Sequence, residues 1–361
     1  MSNKALEIDL LPVERGDHSG DCIAMRYGDL DNGKQSQTVV VVDGGYASNK
    51  DSLKRHLKQY YQCEWEGKLH IDIVFLSHPD QDHVEGLVKL LEDDDVLVNN
   101  LVAMIPWKIM TPRWFKDGRI TPNSLEKKLE GAFGLLSDLI NVAKNKGVTI
   151  IMPTELKNPC EFRDTTFTTL GPELEFYKTC IANCDKTPSK APAVPTLEQA
   201  NFSATDKEEV YVPGHIRWDD SESTSPINES SHIFLFEYNG HKILFCGDAG
   251  KEGLTQAFDL ADDNNIALTD IDIVKMPHHG SRKNVEPALM DRVKRKNCCC
   301  YISCKEGDEG HHPSKRLVNM LIEKGFLVIT TAGATLHKGW DAPDRGWKKA
   351  PSLPVYPKME K

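Results

Sequence analysis

The sequence predicts an α/β protein in which two β-sheets lie face to face between outer layers of helices. Short apolar runs typical of buried strands fill the N-terminal region up to residue 45. From there strands alternate with helical segments, and the same order returns in the second half of the chain. Because each sheet buries one face against the other sheet and one face against helices, this order favours a four-layer sandwich.

The first half opens with three predicted strands, ALEIDLLPV, CIAMRYG and TVVVVDGG, followed by a helix around Ser52–Gln62. A buried strand, IDIVFLS at 71–77, runs directly into the polar loop HPDQDHVEG and then into a short helix, LVKLLED. A strand, a loop rich in polar groups and a helix in succession are how α/β enzymes present chemistry at the carboxyl ends of their strands.

A longer helix is predicted over Asn123–Lys146, because apolar residues recur there at helical spacing and Gly147 follows as a stop. From about 179 to 226 the sequence becomes rich in Pro, Ser, Thr, Asp and Glu and loses its periodicity. A structureless stretch of this length is unusual within a compact domain. We therefore expect a single domain over 1–361, in which residues 179–226 form an insertion or a mobile lid.

Regular strands resume in the second half with a hairpin, HIFLFEY and HKILFCGDAG, whose turn is Asn239-Gly240. A helix over 251–260, the strand IDIVKMPHHGS, a helix near 285–296 and the strand CCYISC follow. The last predicted strands lie in FLVITTAGATLHKG. This half therefore repeats the strand–helix alternation of the first.

The composition excludes several classes of protein. No window approaches about 18 uninterrupted apolar residues, so no membrane association is expected. The N-terminus lacks a basic segment followed by an apolar one, which favours a cytoplasmic location. The net charge of −10 argues against a general nucleic-acid coat protein, although divalent metals would reverse the sign at an acidic site. The ten cysteines have no paired C-x-x-C spacing and are expected to be free thiols.

The most specific feature is the run His78-Pro-Asp80-Gln-Asp82-His83, directly after a buried strand. Imidazole and carboxylate groups together suit zinc, manganese or iron. The single residue between His78 and Asp80 lets both reach one ion. The adjacent Asp82 and His83 point in different directions and can serve a second ion. A loop of ordinary surface residues is the poorer explanation, because four such groups would repel one another and lose solvation.

Two weaker motifs end later strands. FCGDAG has Asp248 at its strand end, and MPHHGS has His278, His279 and Ser281 after the next strand. Alone, the first fits a common turn and the second fits surface histidines. Three such clusters at strand ends are far more specific together than any one of them.

These motifs resemble the metallo-β-lactamase superfamily. HPDQDH resembles its H-x-[HD]-x-D-H signature, and VVDGG, with Asp43, resembles the turn that precedes it. The segment NESSHIFLFEYNGHKILFCGDAG followed by DIVKMPHHGS resembles the ComEC-like branch, which includes the soluble domain of DNA-uptake competence proteins. The motifs extend over about 8–340. The resemblance implies a four-layer αββα metallo-β-lactamase sandwich with an inserted lid and two divalent metal ions.

The resemblance also implies a role for each residue of these motifs. His78 and Asp80 would hold one metal, with Asp80 standing where many relatives have a second histidine. Asp82 and His83 would hold the other metal. Asp248 would bridge the two ions.

The ligand that completes the second site is His279 by this resemblance, with His278 or His312 of GHHP as open alternatives. Asp43 would fix the ligand loop through hydrogen bonds. Asn228 occupies the position at which many relatives have a histidine. The first metal therefore has fewer imidazole ligands, so the two ions are expected to be zinc or manganese, with carboxylates favouring manganese.

Two close metals would lower the pKa of a shared water, so that hydroxide is available to attack a phosphodiester. Asp82 is expected to orient the hydroxide, and His278 to protonate the leaving group or contact a phosphoryl oxygen. Ser281, Arg282 and Lys283 follow the two histidines and are candidate substrate or supporting residues. Solvated charges at a helix start are the plainer interpretation of Arg282 and Lys283.

The leading function is a metal-dependent phosphodiesterase or nuclease that acts on DNA or a nucleotide, with a protein partner that regulates it or delivers substrate. Trp107, Trp114 and Phe115 would either stack bases in an entry channel or pack in the core. One alternative is a hydrolase of a small ester, lactone or thioester, with 179–226 shaping the pocket. Another is a metal-binding scaffold without activity, against which the complete ligand set argues.

Overall fold

A computed structural model describes residues 4–32, 34–156, 158–197, 208–218, 222–293, 298–305 and 312–360. Its strands are β1 (Ala5–Leu10), β2 (Glu14–Arg15), β3 (His18–Ser19), β4 (Cys22–Gly28), β5 (Gln37–Gly44), β6 (Glu64–Trp65), β7 (Lys68–Phe75), β8 (Val96–Val102), β9 (Thr149–Ile151), β10 (Cys160–Phe162), β11 (Thr165–Gly171), β12 (Glu208–Val210), β13 (Ile233–Tyr238), β14 (His241–Phe245), β15 (Ile273–Lys275), β16 (Cys299–Ile302), β17 (Leu327–Thr330), β18 (Leu336–Trp340) and β19 (Lys358–Glu360). Its helices are α1 (Lys50–His56), α2 (Gln81–Glu92), α3 (Pro106–Ile109), α4 (Pro122–Ala132), α5 (Gly134–Asn145), α6 (Leu174–Asn183), α7 (Pro226–Glu229), α8 (Lys251–Asp263), α9 (Pro287–Arg292) and α10 (Lys315–Glu323). Across these ranges, none of the helices has the length and apolar character needed to cross a membrane.

Two large mixed sheets form the centre of the molecule. The first has the strand order β18-β1-β4-β5-β7-β8-β9, with β6 beside β7, and the second has the order β10-β11-β13-β14-β15-β16-β17. Strands β5, β7, β8 and β9 run parallel in the first sheet, as do β14 to β17 in the second. The carboxyl ends of each parallel set therefore meet at one edge of its sheet, which is where ligands bind in α/β proteins.

Three apolar layers separate the two sheets from each other and from the helices. In β5, Val40 packs with Phe234 in the core between the sheets, whereas the adjacent Val39 shares the outer core of the first sheet with Leu87 of α2. A third core joins Leu244 of the second sheet to helices α8 and α10, for example through Leu317. The alternation along each strand thus buries both faces of both sheets. The predicted four-layer αββα sandwich is confirmed.

The helix predicted over Asn123–Lys146 is wrong as a single element. It is divided into α4 and α5 at Phe133, whose φ of −113° and ψ of 52° are not helical. Gly131 and Gly134 flank this residue and lower the cost of leaving the helix. The break lets Phe133 bury its ring in the outer core of the first sheet, where it is only 4% exposed.

The segment 179–226 is only partly within the described residues, since 198–207 and 219–221 lie outside them. Its described parts include the end of α6, strand β12 and the first residue of α7. Strand β12 pairs in antiparallel fashion with β19, so this segment contacts the C-terminal end of the described chain. The single domain and the role of this segment as an insertion or lid stay predictions.

A glycine on α2 sets how closely this helix approaches the loop after β5. A Cβ atom on Gly86 would lie 1.9 Å from the carbonyl oxygen of Gly44, and the Gly86 amide donates to Gly45 O over 2.8 Å. We expect Gly86→Ala to lower the free energy of unfolding by about 1–3 kcal/mol or more, because backbone atoms must move. Gly131→Ala is the matched control: it has open space around it and should stabilise the protein by about 0.5–1 kcal/mol. Urea unfolding measures both, and equal effects would contradict this account of α2.

Candidate metal centre

The three sequence motifs lie together where the two sheets meet. Ser77 and His78 follow β7, and Asp248 follows β14 of the other sheet. The His232 amide donates to Ser77 O over 2.9 Å, which joins the two halves by a backbone hydrogen bond. Gly247 has a φ of +51°, and a Cβ there would lie 2.8 Å from the Ser77 Cβ. This close approach requires glycine and brings the ligand loops of both halves into one site.

One group of ligand atoms comes from both halves of the sandwich. Asp82, His83, Asp248 and His279 each offer one ligand atom, and these atoms all lie within 4.8 Å of one another. His83 Nε2 is 3.4 Å from Asp248 Oδ1, and His279 Nε2 is 3.3 Å from Asp82 Oδ2. These are the residues expected to form the second metal site. We call this group the second cluster.

A neighbouring group contains the residues expected at the first metal. His78 Nε2 lies 3.8 Å from Asp80 Oδ2 and 3.9 Å from Asp248 Oδ2. His278 Nε2 also lies 3.9 Å from Asp248 Oδ2. The two oxygens of Asp248 thus face both groups, as a bridging ligand requires. His278 belongs with this first cluster, and His279 with the second.

The residues present fit bound metal ions. His78 Nε2, His83 Nε2 and Asp248 Oδ1 are buried and have no hydrogen-bond partner within the described ranges. Buried polar atoms are normally satisfied, so three such atoms that converge on one place indicate a missing partner of positive charge. Imidazole nitrogens and carboxylate oxygens suit Zn²⁺ or Mn²⁺.

Asp43 accepts hydrogen bonds from the loop that carries the candidate ligands. Its carboxylate accepts hydrogen bonds from the Ser77 amide at 2.8 Å, the Ser77 hydroxyl at 2.7 Å and His83 Nδ1 at 2.8 Å. His279 Nδ1 in turn donates to Ser303 O over 3.1 Å. Both rings therefore carry their proton on Nδ1 and direct Nε2 towards the cluster, the arrangement that metal-binding histidines need.

Asn284, a residue outside the predicted motifs, orients His278. Its amide nitrogen donates to the backbone oxygen of Asp248 over 2.8 Å, so its Oδ1 accepts from His278 Nδ1 over 3.1 Å. His278 then has a free lone pair on Nε2, on the side of Asp248. Asn228 is not a ligand here: its Nδ2 donates to Thr224 Oγ1 over 2.9 Å and lies 3.3 Å from His278 Nδ1.

The cluster is strongly charged in the absence of metal. Burial alone would raise the pKa of Asp248, but His83, His278 and His279 outweigh burial and hold this pKa well below its usual range. Burial alone would lower the pKa of His83, yet the surrounding carboxylates, with Asp248 first, raise it well above the usual value. Burial would also lower the pKa of His279, but the nearby carboxylates, with Asp248 first, raise it. The surrounding carboxylates therefore favour the protonated form of both histidines of the second cluster when no metal is present.

A buried ion pair beneath the second cluster was not predicted from the sequence. Lys275 Nζ lies 2.5 Å from Asp21 Oδ2, and both side chains are 1% exposed. Burial lowers the pKa of Lys275, but Asp21 and Asp248 more than compensate and raise it. The available signal was a lysine inside the apolar strand of IDIVKMP, since lysine is almost never fully buried without a partner.

Arg282, directly after the HHGS motif, is paired with a carboxylate of the protein itself. Both Arg282 Nε and Nη2 donate to the buried carboxylate of Glu222, over 2.8 and 2.9 Å. This carboxylate, which a sequence pattern could not reveal, corrects the expectation that Arg282 contacts substrate. Ser281 Oγ accepts from the Lys283 amide over 3.3 Å and shapes the local turn. The half-buried His312 lies next to the site, with its ring centroid 5.4 Å from that of His278.

The aromatic residues near the first sheet mainly serve packing. Trp107 and Phe115 are 8% and 4% exposed and belong to the outer core of the first sheet. Trp114 is partly buried and packs against the same core. Trp107 and Phe115 therefore have no exposed ring face for stacking on a base.

Within the described residues, the centre is open to solvent at Asp80 and Asp82, which we call its open side. The side chains of Asp80 and Asp82 are 28% and 23% exposed, whereas His78, His83 and Asp248 are buried. Lys186 lies on this side, with Nζ 3.6 Å from Asp80 Oδ1 and a side chain that is 57% exposed. It comes from the segment 179–226. A substrate that reaches the centre from this side meets two carboxylates and a lysine.

Comparison with known proteins gives a likeness in fold only. No protein-family model matches the chain, and no curated protein matches it in sequence. The Zn²⁺-bound PqqB of Methylobacterium extorquens is 12% identical over 91% of this chain and 99% of that chain, with a TM-score of 0.44. A diphosphatase from the PhnP family is 10% identical over 92% and 97%, with a TM-score of 0.39. The metallo-β-lactamase fold protein YhfI of Bacillus subtilis is 10% identical over 90% and 85%, with a TM-score of 0.37.

Proposed function

We propose that this protein is a dinuclear metal-dependent hydrolase that cleaves a phosphodiester in DNA or in a nucleotide. The observation that carries the proposal is the meeting of two ligand groups on Asp248, with three buried polar atoms that lack a partner within the described ranges. Of these residues, Asp248, His278 and His279 lie in the segments on which the resemblance to the ComEC-like branch rests. That branch therefore remains our preferred relation, as part of the proposal.

Two divalent ions held by these groups would supply hydroxide at neutral pH and neutralise charge on the attacked phosphoryl group. Asp82 is a partly exposed member of the second cluster, so its carboxylate can orient an attacking water. His278 has its Nε2 lone pair towards Asp248, which favours a ligand role over the predicted role as a general acid. Asp43 keeps the proton of His83 on Nδ1, and Asn284 does the same for His278, so that Nε2 of each ring is available to a metal.

Lys186 favours a phosphodiester over a neutral ester. Its ammonium group lies beside Asp80 on the open side and would be released from this carboxylate when a metal occupies the first cluster. A charge-assisted hydrogen bond to a phosphoryl oxygen is then available at the entrance.

We expect Lys186→Ala to raise KM for a phosphodiester about tenfold, because one charge-assisted hydrogen bond is lost. Hydrolysis of a neutral ester should change less than about twofold. Steady-state kinetics with bis(p-nitrophenyl) phosphate and p-nitrophenyl acetate make the comparison. Lys89→Ala, an exposed lysine on α2 paired with Glu92, is the matched control. An equal effect of Lys186→Ala on both substrates would contradict a role in binding phosphate.

The activity itself is tested with labelled single-stranded DNA, double-stranded DNA and a cyclic dinucleotide, each with Mn²⁺ or Zn²⁺. We expect cleavage by the wild-type chain and a loss of at least about 100-fold in Asp82→Asn, since a ligand is lost. Asp138→Asn, an exposed position on α5, should be unchanged. A folded protein that binds two ions and hydrolyses only a small ester, lactone or thioester would contradict the phosphodiesterase proposal and support that alternative.

A further inference from the structure

The Lys275–Asp21 ion pair joins the two halves of the molecule directly beneath the second cluster. Lys275 is the last residue of β15 in the second sheet, and Asp21 immediately precedes β4 in the first sheet. Their charged atoms are 2.5 Å apart, and both side chains are 1% exposed. An unpaired charge at either position would be very costly, so each residue requires the other.

Asp21 faces the metal-binding histidines from behind. Its Oδ2 is 3.9 Å from His83 Nδ1, and its Oδ1 is 3.8 Å from His279 Nδ1. These distances exceed a hydrogen bond, so Asp21 acts on the rings through its negative charge. Its Oδ1 has no hydrogen-bond partner within the described residues, and the His279 ring is the one that this oxygen faces. The carboxylate therefore attracts the Nδ1–H side of a histidine from each half.

Lys275 also fixes the backbone that leads to the HHGS motif. Its Nζ donates to the carbonyl oxygen of Met276 over 2.9 Å, just before the turn that carries His278 and His279. Gly20, next to Asp21, packs so closely on the start of α2 that a Cβ there would lie 2.4 Å from Asp82 O. The Asp21 amide donates to the same oxygen over 3.2 Å. The pair is thus connected to ligands of the second cluster from both halves.

We propose that the Lys275–Asp21 pair is a positioning element of the second metal site, which holds His83 and His279 with Nε2 directed at the ion. The proposal rests on the metal binding assumed in the proposed function, but not on its substrate. The pair touches neither ion nor substrate. Its effect is on the affinity and geometry of the second site, while the first site, built on His78 and Asp80, is left unchanged.

The test separates this role from a purely structural one. Replacing both members by neutral residues of similar size, as in Asp21→Asn with Lys275→Met, leaves no unpaired buried charge and should preserve the unfolding midpoint in EDTA. Mn²⁺ titration calorimetry should then show a second site weakened about 10- to 100-fold, the usual effect of losing a group that orients metal ligands. The first site should keep its affinity within about twofold.

Lys275→Arg and Asp21→Asn alone complete the experiment. Lys275→Arg keeps the charge and should keep second-site affinity within a few-fold, whereas Asp21→Asn should weaken it as the double variant does. The absorption spectrum of bound Co²⁺ reports the geometry of the second site in each variant. Asp21→Ser with Lys275→Leu, which likewise leaves no unpaired buried charge, serves if the first double variant does not fold.

Wild-type affinity and an unchanged Co²⁺ spectrum in a well-folded double variant, or in Asp21→Asn, would overturn the proposal. A wild-type chain that binds two ions but cleaves no phosphodiester would overturn the proposed substrate and leave this inference intact. A wild-type chain with no ion at the second cluster would overturn both.

Discussion

Asp248→Asn is expected to remove tight binding of both metal ions and, with it, hydrolysis. Asp248 Oδ1 lies 3.4 Å from His83 Nε2 of the second cluster, and Oδ2 lies 3.9 Å from His78 Nε2 of the first. An amide retains only one oxygen and no charge, so neither group keeps its shared ligand. Loss of a residue that merely orients ligands costs 10- to 100-fold in metal affinity, and loss of this ligand should cost at least about 100-fold at each site.

Metal content after dialysis and titration calorimetry measure this effect. Asp263→Asn at the exposed end of α8 is the matched control and should bind metal as the wild type does. The metal-free variant should remain folded, because Asp248→Asn removes one of several buried carboxylates that repel one another. Retention of two tightly bound ions by Asp248→Asn would refute the bridging role.

The second large expected effect is that the stability the protein gains from bound metal depends on pH. Burial opposes the protonation of His83 and His279, but the carboxylates around them raise both pKa values above the usual 6.5. In the metal-free protein these histidines thus contribute stability that is fully present below pH 6.5 and is lost as the pH rises through their folded-state pKa values. Metal binding requires the neutral rings and becomes stronger in the same direction.

The gain in stability on adding metal should therefore grow between pH 6 and pH 8. At a free metal concentration 100-fold above Kd, each site adds about 2.7 kcal/mol to the free energy of unfolding. Urea unfolding in EDTA and in excess Mn²⁺ at several pH values measures the difference. Asp248→Asn should show little gain at any pH. A gain of equal size at pH 6 and pH 8 in the wild-type chain would show that these histidines do not hold the metal.

The metal-ligand motifs could be predicted from sequence because they are local. HPDQDH follows a strand that is recognisable from its apolar run, and parallel strands bring their carboxyl ends to one edge. Asp43, Asp248 and the two histidines of HHGS follow or end strands in the same way. Which of His278 and His279 belongs to which cluster could not be predicted. Their orientations depend on the Asn284 amide and the Ser303 carbonyl, which lie on other elements.

The ion pairs that support the site could not be predicted from the sequence, for a different reason. Asp21 and Lys275 are far apart in the chain and belong to different sheets, so their pairing depends on how the two halves pack. Arg282 stands beside the motif in sequence, yet its partner Glu222 comes from the segment predicted to be an insertion. Phe133 breaks a helix that periodicity alone favours, because burial of its ring depends on tertiary packing.

The central claim is that side chains from the two halves hold two metal ions around Asp248. Crystals grown with Mn²⁺ and measured for anomalous scattering test it directly. The account predicts two peaks about 3.5–4 Å apart, the spacing usual for two-metal hydrolases. One peak should contact Asp82, His83 and His279, the other His78 and Asp80, with Asp248 between them. A single peak away from Asp248, or no peak in a fully loaded crystal, would contradict the account.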